Sequence, residues 1–571
     1  NDLKPDIKLG NVYTKLQLSK NYLTLSLQDL QKHSFIAGIT GSGKTNTSLQ
    51  ILTQLWSKHK IPFLVIEPAK FEYRNLLSNN MFENLQIFTI SDENTAPFRI
   101  NPFEFPKGIL PQTHVDYLKA LFLASFHFIS PTPYVLEECL IRIYQDRGWN
   151  FATGKNARGC GEEAFPTLSE LYEKVEDVAA KLGYDSEITK NISASLQTRL
   201  QNLRLGGKGR VLDSKNSIDM EYLCQRPVII ELHQIGNDQE KAFFIGLMLI
   251  KLYEYCEYRY QKENDKNKFN SLQHLLVIEE AHRLLKRHQN TGSSEVGDAG
   301  KEVVSLFTNM LAELRSFGEG FLVLEQIPSK LTPEVIKNTN VKFLHRLVAG
   351  DDKKIMGACM NLEEKQEKFV TSLLPGEAVI FKEGMDRAVL TKIVNAKEQL
   401  KLKGISNLQI KQHFQKHFYQ YNKKIFLPHR FCFLCEDPQK CDYYNAQDKP
   451  WSSDKLFLSK AANLLLEYLF YNKEHSSFFE ANIAKILREI FFHLRPYSNL
   501  QSSKELGNYT ICTFIHTWLK LFEKKGEAHN IQFIDLQKIH SALHSLNKKL
   551  FMKILPITTM NESNLTIDKN E

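Results

Sequence analysis

The run Gly38-Ile39-Thr40-Gly41-Ser42-Gly43-Lys44-Thr45 constrains this chain more than any other stretch. It fits G-x-x-x-x-G-K-[ST], a phosphate-cradling loop that needs a strand before it and a helix after it. Both flanks comply. Ser34-Phe35-Ile36-Ala37 reads as a short buried strand. Residues 45–58 read as an amphipathic helix with Leu49, Leu52 and Leu55 on one face. Loop N–H groups and a helix N-terminus together make an anion site. Gly38, Thr40, Gly41, Ser42, Gly43 and Asn46 are expected around the phosphates. Lys44 is expected on the β- and γ-phosphates, and the Thr45 hydroxyl on Mg²⁺.

A strand–loop–helix unit of this kind belongs in an α/β sheet, and the rest of the chain supplies one. Residues 12–16 and 22–27 alternate weakly as short strands. Residues 62–66, 85–90, 227–232, 274–278 and 320–324 are compact apolar strands, and 378–382 and 388–393 read as the last two. Strands separated by helices indicate a mainly parallel sheet covered on both faces. Between 102 and 224 the strand signal gives way to helices at 115–128, 134–145, 168–182 and 187–203; a long helix follows at 238–258. Residues 288–301 carry Gly, Ser, Asn and Asp without apolar periodicity and read as a loop. After 397, Lys-rich and aromatic-rich helical segments dominate. The expected organisation is a β-rich segment at 1–30, the P-loop half of the core at 31–101, a helical insertion at 102–224, the second half at 225–396 and a helical domain at 397–571.

At 571 residues the chain is long enough for two or three domains. Its 42% hydrophobic and 24% charged residues are those of a water-soluble protein. No apolar run is long enough to span a bilayer, and no signal peptide is seen. Nine scattered cysteines do not form a disulfide framework, so a reducing, cytoplasmic setting is expected. The formal charge of +8 permits nucleic-acid binding without requiring it. Because the chain begins with Asn rather than Met, an N-terminal piece is expected to precede it.

A P-loop needs an acidic partner on a neighbouring strand. Leu275-Leu276-Val277-Ile278-Glu279-Glu280 supplies two carboxylates at a strand end. Glu279 is expected at the metal, and Glu280 is expected to polarise the attacking water. Gln326, just past the strand at 320–324, should point into the same crevice and sense the γ-phosphate or orient water. Glu67, at the end of the strand at 62–66, should line it too.

These pieces, in this order, resemble the HerA-like branch of the HerA/FtsK superfamily of P-loop ATPases. The resemblance rests on Leu30-Gln31-Lys32-His33 leading into the loop, Ile66-Glu67-Pro68-Ala69-Lys70-Phe71-Glu72-Tyr73, and Val277 to Leu285 around the acidic pair. It continues through Ala312 to Gly320, Glu325-Gln326-Ile327-Pro328-Ser329-Lys330-Leu331, Asn338-Thr339-Asn340 and His345-Arg346-Leu347, and covers roughly residues 10 to 395. It implies a RecA-like core in a hexameric ring, with ATP hydrolysis coupled to moving double-stranded DNA. It also implies a nuclease or other effector partner, in DNA end processing or antiviral defence. Ring ATPases complete each site with a neighbour's arginine. Arg315 and Arg346, and more weakly Arg210, are the candidates. The chain departs from the family in carrying Glu279-Glu280 for Asp-Glu, a large helical insertion, and at most 30 residues in place of the N-terminal β-barrel.

Two features lie outside that pattern. His429, Cys432, Cys435 and Cys441 have a spacing that could hold structural Zn²⁺, although the second C-x-x-C of a stronger motif is missing. Lys286, Arg287 and His288 are candidate channel-loop contacts to DNA phosphates, with a solvated basic helix end as the alternative. The leading expectation is an oligomeric ATPase that translocates on or remodels DNA. The alternative is a nucleotide-gated scaffold that activates an effector without productive translocation. A secretion ATPase of the conjugation type stands third.

Overall fold

The computed structural model describes residues 7–422 except 16, 127, 158–164, 182, 184, 216, 288–293, 420 and 421, with backbone alone for 294–303. The chain divides into two compact units, Asn1–Phe426 and Leu427–Glu571. The second lies outside the described residues, and with it the expected zinc ligands His429, Cys432, Cys435 and Cys441.

The first unit is built on one sheet. Its strands are β1 (Ile7–Thr14), β2 (Gln17–Leu25), β3 (Ser34–Ala37), β4 (Phe63–Glu67), β5 (Gln86–Thr89), a two-residue hairpin β6 (Trp149–Asn150) and β7 (Lys155–Asn156), β8 (Val228–Glu231), β9 (His274–Glu279), β10 (Glu319–Glu325), β11 (Val341–Leu344), β12 (Glu377–Lys382) and β13 (Val389–Ile393). All but β6 and β7 join the 11-stranded sheet, in the order β2-β1-β13-β12-β11-β3-β10-β9-β4-β8-β5. From β11 to β5 neighbouring strands run parallel. From β11 to β2 they run antiparallel. Sequence explains the division. Every residue of β3, β4, β5, β8, β10 and β11 is buried, as strands covered on both faces must be. The edge strand β2 is mostly polar and exposed, which discourages pairing with another chain. The opposite edge, β5, is covered: Phe414 and Phe418 pack on Phe88, and the His413 ring nitrogen lies 2.7 Å from the Leu85 carbonyl.

Helices α1 (Leu27–Gln31) and α2 (Lys44–Gln54) flank β3. Between β5 and β8 the chain forms α3 (Pro111–Ser125), α4 (Thr132–Asp146), α5 (Leu168–Lys181), α6 (Ser186–Arg204), α7 (Gly206–Leu212) and α8 (Met220–Cys224). This helical insertion meets the core through α9 (Asp238–Lys262), where Phe122 and Phe243 pack at 5.1 Å.

Two expectations are corrected. Residues 294–301 are helical, because α10 runs Ser294–Leu314. Its buried residues Val304, Phe307, Met310 and Leu311 anchor the helix, which continues cooperatively back through the Gly- and Asp-containing start. The acidic strand β9 is not the immediate neighbour of β3, because β10 lies between them. Strands lie about 4.8 Å apart, so the ends of β3 and β9 are roughly 10 Å apart, and the side chains of Thr45 and Glu279 reach toward each other across that gap. Strand β11, only four residues long, went unrecognised in the sequence.

Candidate nucleotide site at the C-terminal edge of the sheet

The P-loop is pinned from both sides. Gly38 N–H donates to the Glu325 carbonyl (3.1 Å) and Ile39 N–H to the Arg346 carbonyl (2.9 Å), so the ends of β10 and β11 fix its entry. Gly376 N–H donates to the Ser42 carbonyl at 2.9 Å. Gly43 has φ +115°, and a Cβ there would meet the Gly376 backbone at 3.0 Å, so this position needs glycine. His345 buttresses the loop from below. Its Nδ1 lies 2.8 Å from the Glu377 carbonyl and therefore carries the proton, while Nε2 lies 2.9 Å from the Thr47 hydroxyl. Burial lowers its pKa to about 4 and keeps the ring neutral.

The Lys44 ammonium donates to the loop's own carbonyls, Gly38 at 2.6 Å and Ile39 at 3.0 Å. Burial lowers its pKa to about 8, against the pull of Glu279. The Thr45 hydroxyl lies 3.5 Å from Glu279 Oε1, which also accepts from the Tyr73 hydroxyl at 3.1 Å. Burial raises the Glu279 carboxyl above its usual value. Glu67, fully buried at the end of β4, accepts from Glu72 N–H at 2.7 Å, and its Oε2 has no hydrogen-bond partner among the described residues. Burial, then the Glu279 charge, push its pKa well up. Crowded, under-neutralised carboxylates beside a P-loop threonine suit a hard divalent cation. Thr45 and Glu279 would hold Mg²⁺, which supplies charge neutralisation of phosphate when bound.

A polar relay crosses the crevice. The Thr40 hydroxyl donates to Gln326 Oε1 at 2.7 Å, and Gln326 Nε2 donates to Glu280 Oε1 at 3.3 Å. Gln326 directly follows the interposed strand β10, which explains how it reaches both sides. Glu280 turns out of β9 in a left-handed conformation, φ +53° and ψ +46°.

Not every expected residue enters the crevice. Asn46 spends its amide on tying α2 to the chain after β13, donating to Val394 O and accepting from Ala396 N–H, both at 2.9 Å. Ser42 Oγ donates to Ile39 O within the loop. Arg346 is exposed and borders the loop through its backbone, whereas Arg315 precedes β10 and so lies at the opposite edge of the sheet. Arg210 sits in α7 of the helical insertion. Lys286 and Arg287 are exposed, and His288 lies outside the described residues. Sequence reasoning missed Glu325. It is fully buried and accepts from Gln326 N–H at 2.8 Å and from His282 N–H at 3.2 Å, with His282 Nδ1 at 2.9 Å. It fixes the turn that carries Gln326. Its position directly before Gln326 was the available signal. Among the described residues no three His, Cys, Asp or Glu side chains gather as a metal-binding group, and no helix is long and apolar enough to cross a membrane.

A P-loop strand, an acidic strand next but one and a strand-end amide between them define a RecA-like P-loop NTPase. The fold agrees with the structure of VirB4 of Thermoanaerobacter pseudethanolicus, at TM-score 0.52 and 16% identity, covering 69% of this chain and 97% of that one. Residues 7–252 match the family described as "Helicase HerA, central domain". The DNA double-strand break repair helicase HerA of Sulfolobus acidocaldarius is 23% identical over 380 residues, 66% of each protein. The probable HerA of Methanocaldococcus jannaschii is 33% identical over 121 residues, 21% of this chain and 22% of that protein. The chain thus spans just under two thirds of the first relative and about a fifth of the second. Over residues 7–252 the chain is similar to the HerA helicases, and its fold is that of a P-loop NTPase.

Proposed function

We propose that this protein hydrolyses ATP and uses the cycle to move along or remodel double-stranded DNA. The observation that carries the hydrolytic part is the relay from Thr40 through Gln326 to Glu280, which joins a P-loop residue to a carboxylate placed to polarise water. Lys44 and the loop N–H groups bind phosphate, Thr45 and Glu279 hold Mg²⁺, and Gln326 aligns Glu280. The DNA part is supported by the HerA family match and by the helicases among the curated relatives.

Assembly into a ring follows the same likeness. Arg315, on the edge away from its own loop, fits a role in a neighbour's site, while Arg346 fits either its own or an adjoining one. An effector partner, a place in phage defence and zinc at His429, Cys432, Cys435 and Cys441 belong to this proposal as well. About one zinc per chain by elemental analysis supports the last; a metal-free, folded protein overturns it.

Steady-state ATP hydrolysis with and without linear duplex DNA tests the reading. Stimulation by DNA is expected. Hydrolysis indifferent to DNA contradicts a motor and favours the effector-gating scaffold.

A further inference from the structure

We infer that Arg283 is a positioning residue that holds Glu280 back in the resting state, and that Asp238 on α9 competes with Glu280 for it. The inference rests on Glu280 being the water-activating carboxylate.

Both oxygens of Glu280 are engaged. Oε1 accepts from Gln326, as above. Oε2 accepts twice from Arg283, from Nε at 2.9 Å and Nη2 at 2.5 Å. The side chains of Glu280 and Arg283 are 15% and 13% exposed, so water does little to weaken the pair. The third guanidinium nitrogen, Nη1, bonds Asp238 Oδ1, whose side chain is 77% exposed. Arg283 therefore bridges the acidic strand and the first turn of α9. The backbone reinforces the bridge: Arg283 N–H donates to the Glu280 carbonyl at 3.1 Å, and Glu280 N–H donates to Leu324 O at 2.9 Å. Lys241, one turn further along α9, adds positive charge beside the same three groups.

A carboxylate that polarises water must offer it an oxygen lone pair in the right direction. Two N–H groups from one guanidinium fix Oε2 toward α9 and occupy the side away from Gln326. Moving Arg283 onto Asp238 alone would free Oε2 while leaving the Gln326 contact in place. α9 is placed to control that exchange. Its Glu240 takes a salt bridge from Lys208 of α7 at 2.6 Å, so the helical insertion is tied to the same helical turn. A load on the insertion would then bear on Arg283 through Asp238.

The test is steady-state hydrolysis of MgATP by the full chain without DNA, together with equilibrium ATP binding. If the clamped form dominates at rest, Arg283→Gln raises kcat about fivefold with KM changed less than about twofold. Asp238→Asn removes the competitor and lowers kcat. Arg283→Lys, which keeps the charge but makes one contact rather than two, gives an intermediate rise and also covers the case in which the glutamine variant fails to fold. An Arg283→Gln kcat that falls as far as that of Glu280→Gln would overturn the clamp, since Arg283 would then align Glu280 for the reaction. An unchanged kcat in all three variants would overturn it too. Full hydrolysis by Glu280→Gln would instead remove the reading of the site itself, so the two failures are distinguishable.

Discussion

Neighbouring strand ends treat buried carboxylates in opposite ways. At the end of β8, Glu231 is fully buried and fully answered: Arg74 donates to both oxygens at 2.7 and 2.5 Å, and the Thr89 hydroxyl adds a third bond. At the ends of β4, one strand over, and β9, two strands over, Glu67 is buried and Glu279 half-buried, with no cation in direct contact among the described residues, and their carboxyl pKa values rise. The difference separates a structural carboxylate from a functional one. A charge that serves the fold is neutralised from within the chain. A charge meant for an external cation is left short of neutralisation.

The largest effect should come from removing catalytic charge. Lys44→Ala is expected to lower hydrolysis by at least about a hundredfold while the unfolding midpoint stays near that of the native protein. Loss of both together would erase the distinction, since Lys44 would then be serving the fold.

The mirror experiment is Arg74→Ala, which strands Glu231 in the core. A stability loss of about 3–5 kcal/mol by denaturant titration is expected. Replacing both partners with apolar residues of similar size should recover most of it. A single variant within about 0.5 kcal/mol of native would show that the pair is not what neutralises that strand end.

Glu67→Gln should act in the other direction. Its folded pKa is raised, so the native state binds its proton more tightly than the unfolded state. That contribution is fully present below the ordinary carboxylate value of 4.5 and is lost as pH rises through the raised folded value. The nucleotide-free glutamine variant should therefore be more stable at pH 7, and its stability should fall less as pH rises. A thermal denaturation series across pH checks this, and a variant less stable than native at pH 7 contradicts it.

The smallest expected effect concerns Lys44 itself. Held at about 8 by burial, its ammonium begins to lose its proton just above neutrality in the free protein. Nucleotide affinity should decline above about pH 8, more steeply than it does for a P-loop protein whose lysine keeps its ordinary value. Flat affinity up to pH 9 would show that Lys44 keeps its proton in the free protein well above pH 8, contradicting the lowered pKa.

Sequence reading reached different depths in the two regions. The P-loop, the acidic pair and Gln326 were legible because each is a short contiguous pattern tied to a strand end. The Arg74–Glu231 pair was not, because its partners are 157 positions apart and nothing local marks them as a couple. The same holds for His345 beneath Thr47, and for Arg283 reaching Asp238. Tyr73 stood inside a quoted motif, but its bond to Glu279 depends on the order of β4 and β9 in the sheet. Strand β11 is too short for alternation to register. Helix α10 begins in residues whose composition argues for a loop, and only its packed second half reveals it.

In the function proposed above, Glu280 activates water in a crevice that binds ATP independently of it. The most direct test is ATP binding and single-turnover hydrolysis by Glu280→Gln. Native-like affinity with ATP retained uncleaved is the expected result. Cleavage of bound ATP at the native rate would contradict the account.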